Sequence, residues 1–155
     1  MWLKRMFVLA CVALVSFGAQ AQQNRAPAAA GTAIGYVKTA KGEAFVESGG
    51  QAIKAVEGTP LKVSDVIRTG ADGAVGITLK DNTVMSFGPS TRFTLEEYLF
   101  APAKGDLKLG GRLASGSLHY VSGLIAKAKP EAVNLKTPTG TIGVRGTRFV
   151  VVVAP

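Results

Sequence analysis

Few residues of this chain have the chemistry of a catalytic or metal site. The sequence holds one cysteine, Cys11, and one histidine, His119, whose place in a strand-like run predicts a surface or edge position. Zinc sites need several cysteine and histidine ligands, and the aspartates beside turns lack the spacing of a calcium loop. The serine-nucleophile motif Gly-x-Ser-x-Gly, a phosphate loop and a dinucleotide fingerprint are absent from the sequence. We therefore predict a protein that is not an enzyme and has neither metal nor cofactor.

Three arginines are the remaining candidates, and they stand beside turn residues. They are Arg68, Arg145 and Arg148. A guanidinium group forks onto carboxylates or carbonyl oxygens. One interpretation is structural: each arginine binds turn carbonyls or a carboxylate such as Asp65 or Asp81, and so holds the strands together. The other interpretation is an anion-binding pocket.

The element that must position Arg145 and Arg148 is a β-rich stretch near the C-terminus. Thr137–Phe149 is dominated by threonine, isoleucine, valine and phenylalanine, and Val150–Val153 continues it. The period-two alternation slips within this stretch, and Gly146 lies in the slip between the two arginines. This pattern predicts a strand with a β-bulge at Gly146, where a side chain would strain the backbone.

Turn signals recur every nine or ten residues in the middle of the chain. Ile67, Ile77 and Phe87 lie ten residues apart, with alternating apolar runs between the turns. Short strands at this spacing indicate an all-β fold, either a sandwich-like arrangement, a barrel or a solenoid-like stack.

Residues Glu96–Gly111 break this rhythm and predict a long hairpin or a protruding loop. Three adjacent aromatic and apolar residues lie there: Tyr98, Leu99 and Phe100. Clustered aromatic residues on a loop favour a partner-binding site. The alternative is that they cover the open end of the β core. Both interpretations stay open.

The N-terminus is typical of a secretory signal peptide. Lys4 and Arg5 precede the apolar run Met6–Val15, and Ala19–Ala21 is a small-x-small cleavage site. We expect cleavage after Ala21, which removes the cysteine and excludes disulfides. An uncleaved anchor, or a lipid on the cysteine, is the alternative.

These boundaries predict a signal peptide over 1–21, a flexible linker over 22–33 and one all-β domain over 34–155, located in the periplasm or secreted. The mature chain should have no transmembrane helix. The formal net charge is +8. An exported protein meets anionic lipid headgroups, anionic cell-wall polymers and acidic protein faces rather than nucleic acid.

The C-terminal stretch resembles the FecR-like domain family, whose signature is a threonine-proline step followed by Arg-Gly-Thr and an aromatic residue. The residues that carry this resemblance are Thr137, Pro138, Arg145, Gly146, Thr147 and Phe149. Earlier residues support it, and they are Asp65, Arg68, Thr69, Gly70 and Asp81. Ser64 and Asn82 depart from the family pattern by replacing glycines. Asparagine tolerates left-handed geometry, so the turn at Asn82 should survive. The resemblance spans Gly35–Val153 and favours a compact, solenoid-like β domain in which these residues are structural.

The resemblance implies a module of envelope signalling that binds another protein. Related proteins with a membrane helix and a cytoplasmic segment act as anti-sigma regulators in iron-siderophore signalling, and we expect this chain to have the domain and to lack the transmitter. The apolar run Phe149–Val153 predicts either a buried strand or an open edge that takes a partner strand. The candidate contacts are Val151, Tyr98, Leu99 and Phe100. The alternative function is a structural envelope module that binds cell-wall polymer or anionic lipid through its basic surface.

Overall fold

The computed structural model describes residues 31–146 and 148–154. The predicted signal peptide, residues 22–30 of the predicted linker and Thr147 of the Arg-Gly-Thr signature lie outside the described residues. None of the helices in the described ranges is long and apolar enough to cross a membrane.

The described residues form twelve β-strands, one short α-helix and two single turns of 3-10 helix. The strands are β1 (Gly35–Lys41), β2 (Ala44–Ser48), β3 (Gln51–Lys54), β4 (Pro60–Leu61), β5 (Val66–Thr69), β6 (Ala74–Leu79), β7 (Val84–Phe87), β8 (Arg92–Ala101), β9 (Asp106–Val121), β10 (Val133–Thr137), β11 (Gly140–Gly143) and β12 (Arg148–Val153). The helix α1 is Leu124–Ala128, and the 3-10 turns are Pro102–Lys104 and Pro130–Ala132.

The strands form one curled sheet with two halves that share β9. The β8 half has the strand order β3-β2-β5-β8-β9-β10-β11, and the β7 half has the order β4-β1-β6-β7-β9-β12. Among the described strand pairs only β9 with β10 is parallel. The long strand β9 therefore carries the chain from one half into the other.

Gly116 makes this change of partner. Residues of β9 before it pair with β8 and β10, and residues after it pair with β7 and β12. Its φ is +87°, in the left-handed region where glycine is favoured, and a Cβ on it would overlap Thr91. Gly116 therefore forms the corner between the two halves.

A single core lies inside the curl. The rings of Phe87 in β7 and Phe93 in β8 meet across the two halves with centroids 4.9 Å apart. Val37, Val46 and Leu61, from the first strands, belong to the same buried cluster. The strands that precede residue 65 therefore pack with the later ones.

The all-β fold predicted from the sequence is confirmed, and so is the long hairpin, which β8 and β9 form. The ten-residue rhythm does not mark successive rungs of a solenoid. Ile77 and Phe87 lie on antiparallel neighbours, β6 and β7, whereas Ile67 lies on β5 in the other half. The arrangement is a curled, largely antiparallel sheet in the form of a half-barrel, in which paired strands return on themselves through short turns.

Candidate partner-binding edge and the motif residues

The motif residues near β5 build the corner between the two halves. The Thr69 hydroxyl donates to the Gly88 carbonyl at 2.7 Å and accepts from the Thr91 amide at 2.8 Å. The Thr91 hydroxyl donates to the same carbonyl at 2.8 Å and accepts from the Ser117 amide at 3.0 Å. Both threonines are buried, so these hydroxyls replace water as partners of the turn backbone. The network fixes β5, the β7–β8 turn and β9 beside Gly116.

Two further motif residues hold turns at the ends of β5. The Gly70 amide donates to the Glu43 carbonyl at 2.8 Å, and its carbonyl accepts from the Ser90 amide at 2.9 Å. The buried Asp65 carboxylate accepts from the Lys62 amide at 2.8 Å. Both residues act on backbone groups of this chain in the described structure.

The two departures from the family pattern occupy left-handed positions. Ser64 has a φ of +74° and Asn82 a φ of +64°. Glycine suits such positions because it has no Cβ, and asparagine tolerates them better than most residues. The turn at Asn82 survives as predicted, with the Leu79 amide donating to the Thr83 carbonyl at 2.9 Å.

Asp81 is a fully buried carboxylate that collects donors from three elements. It accepts from the Thr83 hydroxyl at 2.7 Å, the Tyr98 hydroxyl at 3.2 Å and the Ile125 amide at 3.2 Å. Burial, and then the negative charge of Asp81, raise the pKa of the Tyr98 hydroxyl above its ordinary value. The carboxylate joins the β6–β7 turn, the β8–β9 hairpin and the start of α1.

Arg68 binds a carboxylate, as one interpretation predicted, but the partner is Glu47 rather than Asp65 or Asp81. Its Nη1 lies 3.1 Å from Glu47 Oε1, and its guanidinium lies 5.7 Å from the centroid of Phe45. Arg92 binds the other oxygen of Glu47 at 3.3 Å. The two buried aspartates are occupied by turn donors instead.

The outer face of the β8 half repeats this arrangement two strands further on. Glu96 accepts from Arg112 at 2.7 Å and from Lys136 at 2.8 Å, and hydrogen bonds from Lys136 and Arg112 lower the pKa of Glu96. Glu47 and Glu96 thus each neutralise two cations across neighbouring strands. We call this surface the charged face.

The Thr-Pro step forms the β10–β11 hairpin. The Thr137 hydroxyl donates to the Gly140 carbonyl at 3.0 Å, and Pro138 lies in the two-residue turn between them. The prediction of one bulged strand through Gly146 is wrong, because β11 ends at Gly143 and β12 begins at Arg148. The slip in alternation marks the connection between two strands.

Gly146 lies in that connection with a φ of +155°, and its carbonyl accepts from the Ser122 hydroxyl at 2.6 Å. Nothing lies within 4 Å of a Cβ built there, so the backbone angle alone opposes a side chain. Gly146→Val and Gly146→Ala should each lower the free energy of unfolding by about 1 to 3 kcal/mol, measured by urea denaturation.

Gly143→Ala is the matched control for this prediction. Gly143 also has open space around a built Cβ, but it lies in β11 without a left-handed φ. Its substitution should change stability by less than about 1 kcal/mol. Equal stabilities of the Gly146 and Gly143 variants would contradict a structural role for Gly146, and a loss of partner binding without a loss of stability would place it in a site.

Strand β12 is an edge. In the described chain it pairs with β9 alone, while β9 also pairs with β7. Phe149, Val151 and Val153 are half-buried toward the core, and Phe149 stacks on Tyr120 at 4.8 Å. Val150 is 63% exposed and Val152 is 73% exposed. Among the described strands none pairs with the other side of β12, so the backbone groups on that side have no strand partner there.

The outer face beside this edge contrasts with the charged face. The β-ladder aligns Val84, Val121 and Arg148 in one row, and Ser86, His119 and Val150 in the next. Over β7, β9 and β12 these rows contain one formal charge, that of Arg148. His119 was predicted at a surface or edge position, and it lies partly exposed on this outer face rather than at an edge, since β9 has neighbours on both sides. We call these rows and the free side of β12 the β12 surface.

Arg145 and Arg148 are exposed and form no ion pair with the described residues. Arg148 starts β12, and Arg145 lines a shallow depression beside Glu131 and Asn134. The neighbouring carboxylate makes this depression a poor anion pocket.

The comparisons with known proteins bear on the whole of this arrangement. Residues 65–154 match the family described as FecR protein. The chain belongs to the FecR family. No curated protein and no solved structure matches the chain. The FecR family is a regulatory signalling family rather than a family of enzymes.

The FecR match begins at Asp65 and so covers every motif residue described above, together with β12. It is shorter than the resemblance read from the sequence, which began at Gly35. The sequence analysis missed Glu47 and Thr91, which bind the FecR motif residues Arg68 and Thr69. Thr91 directly follows the turn Gly88–Ser90, and a threonine in that position could have been recognised from the sequence as a residue that binds the turn backbone.

The aromatic cluster of this FecR domain lies apart from the β12 surface. Tyr98 points to Asp81, Leu99 is 47% exposed, and Phe100 lines an apolar cleft of about 410 Å³ between the hairpin tip and α1. Tyr98 pairs with the part of β9 before Gly116, and Val151 with the part after it. The candidate contact residues therefore occupy two separate surfaces.

Proposed function

We propose that this FecR-family protein is an exported, periplasmic or secreted module that binds another envelope protein in signal transduction, and that the β12 surface is its binding site. FecR membership supports the role in envelope signalling. The single observation that carries the choice of surface is the open edge of β12, which ends in apolar side chains and unpaired backbone groups.

The chemistry of this surface suits strand addition. A partner strand placed beside β12 would satisfy its free amides and carbonyls, and such pairing is a known mode of peptide recognition. Val150 and Val152 would then lose exposed apolar area, at about 25 cal/mol for each Å² removed from water. Arg148 at one end and a surface without carboxylates favour a partner strand that carries an acidic residue.

The alternative function, binding of cell-wall polymer or anionic lipid, has its own supporting observation. A groove of about 450 Å³ beside β1 and β3 is lined by Lys38, Lys41 and Lys54, with one carboxylate, Glu57. The cations of the charged face support this function less, because Glu47 and Glu96 neutralise them in pairs.

Affinity capture from envelope extract, followed by binding measurements with the identified and purified partner, tests the proposal. The edge variants are Val150→Pro and Val151→Pro. Successive strand residues direct their N–H groups to opposite sides, so one proline removes a bond to β9 and the other an outward donor. The proline that removes only the outward donor leaves the bonds to β9 intact, so that variant keeps the parent's melting temperature. We call it the edge variant, and it should bind the partner about tenfold more weakly than the parent.

Arg68→Gln/Arg92→Gln, on the charged face, is the matched control and should bind like the parent. The dependence of binding on salt concentration is a second way to distinguish the two functions. Binding through several lysines weakens steeply with ionic strength, whereas an interface with an apolar centre weakens little. Full binding by the edge variant would contradict the proposal. A steep salt dependence lost in Lys38→Gln/Lys41→Gln would favour the alternative.

A further inference from the structure

Strand β12 lacks the features that keep edge strands from pairing with other chains. Edge strands are commonly protected by a lysine, a proline, an inward charge or a β-bulge. Five consecutive residues of β12, Phe149–Val153, are apolar, and their pairing with β9 is regular along its length. This edge is therefore built to be covered.

We propose that a second copy of this chain covers it, through antiparallel pairing of the two β12 strands about a two-fold axis at Val151. In this register Val150 faces Val152 of the second copy, and Phe149 faces Val153. Directly opposite residues of a ladder share a face, so the half-buried row of each copy continues the half-buried row of the other. The two cores then meet across the axis.

Charge selects this surface and this register. Each copy is basic, with a formal net charge of +8 for the whole sequence and +6 without Lys4 and Arg5 of the predicted signal peptide (16 − 10), so two copies repel each other wherever cations meet. The rows over β7, β9 and β12 carry only one formal charge, Arg148. A two-fold axis at Val151 places Arg148 opposite Ala154 of the second copy, away from its own symmetry mate. A register displaced by one residue would mix half-buried and exposed rows.

Self-pairing would regulate the proposed function, since the second copy would occupy the same edge and compete with the partner strand. It rests on that function for its role in regulation, but its physical existence can be tested alone. Dilution would release the edge, and a partner that binds it would dissociate the dimer. The partner's concentration would then set the fraction of free copies.

A charge exchange across the axis tests the register. Val150→Lys/Val152→Lys puts like charges opposite each other twice in the dimer. Two such cross-strand pairs should raise the dimer dissociation constant about tenfold or more in sedimentation equilibrium. Val150→Glu/Val152→Lys puts opposite charges face to face twice, and its dissociation constant should return to within about threefold of the parent.

Ile53→Lys/Val56→Lys adds the same two charges at exposed positions beside β3 and should dimerise like the parent. A parent that stays monomeric at every soluble concentration would overturn the inference, as would failure of the opposite-charge variant to dimerise. Neither result touches the proposed function, which the partner-binding measurement decides. Conversely, the parent and the opposite-charge variant could both dimerise while the edge variant binds the partner normally. That result would support the dimer and contradict the proposed function.

Discussion

Gly116→Ala is expected to lower the free energy of unfolding by about 2 to 5 kcal/mol and to leave much of the protein unfolded or insoluble. The left-handed backbone costs about 1 to 2 kcal/mol for a residue with a Cβ. Overlap of that Cβ with Thr91, which the buried hydroxyl network holds in place, adds about 1 to 3 kcal/mol. Urea denaturation followed by circular dichroism measures the loss.

Gly105→Ala separates the two causes. Gly105, at the hairpin tip, has a φ of +72° but nothing within 4 Å of a built Cβ. Its alanine variant should therefore show the backbone cost alone, about 1 to 2 kcal/mol. The Gly116→Ala variant should be the less stable of the two. If it is as stable as the Gly105→Ala variant or more stable, β9 does not turn tightly against Thr91.

Asp81→Ala is expected to have the next largest effect, a loss of about 3 kcal/mol or more. The substitution leaves the Thr83 hydroxyl, the Tyr98 hydroxyl and the Ile125 amide without their acceptor in a buried position. Each unsatisfied buried donor costs about 1 to 3 kcal/mol, while removal of a buried charge returns part of that. Thermal and urea denaturation measure the difference.

Asp81→Asn is the matched control, because it keeps the size of the side chain and one acceptor oxygen. It places an amide donor against existing donors and should cost about 1 to 2 kcal/mol, less than the alanine variant. Equal stability of Asp81→Ala and the parent would show that the carboxylate does not join the β6–β7 turn to the hairpin and α1.

Local features of the fold could be predicted from the sequence. The turn rhythm indicated short β-strands, the break at Glu96–Gly111 indicated a long hairpin, and Asn82 was recognised as a residue that accepts left-handed geometry. These features depend on residues close together in sequence. Propensity and periodicity report on such neighbours directly.

Long-range pairing could not be predicted in the same way. The partner of Arg68 is Glu47, on a neighbouring strand, and no local pattern distinguishes it from the nearer Asp65. The slip at Gly146 looked like a bulge because a connection between strands also interrupts alternation. The division of β9 between the two halves depends on which strands meet it, and one residue, Gly116, decides where the division falls.

The candidate site shows the same limit. The terminal apolar run predicted either a buried strand or an open edge, and its composition fits both. The choice depends on whether a neighbour lies beside β12, which is a property of the whole sheet. The aromatic residues at Tyr98–Phe100 were placed near that edge as candidate contacts, but they lie in β8, which pairs with the part of β9 that belongs to the other half.

Residue-level amide hydrogen exchange with and without the captured, purified partner tests the binding edge most directly. The free protein should be measured at a concentration where it is monomeric. We predict that the partner slows exchange at alternate amides of Phe149–Val153, those that point away from β9, and leaves β2, β5 and β8 of the charged face unchanged. Protection of the charged face or of the lysine groove, with β12 unchanged, would contradict the account.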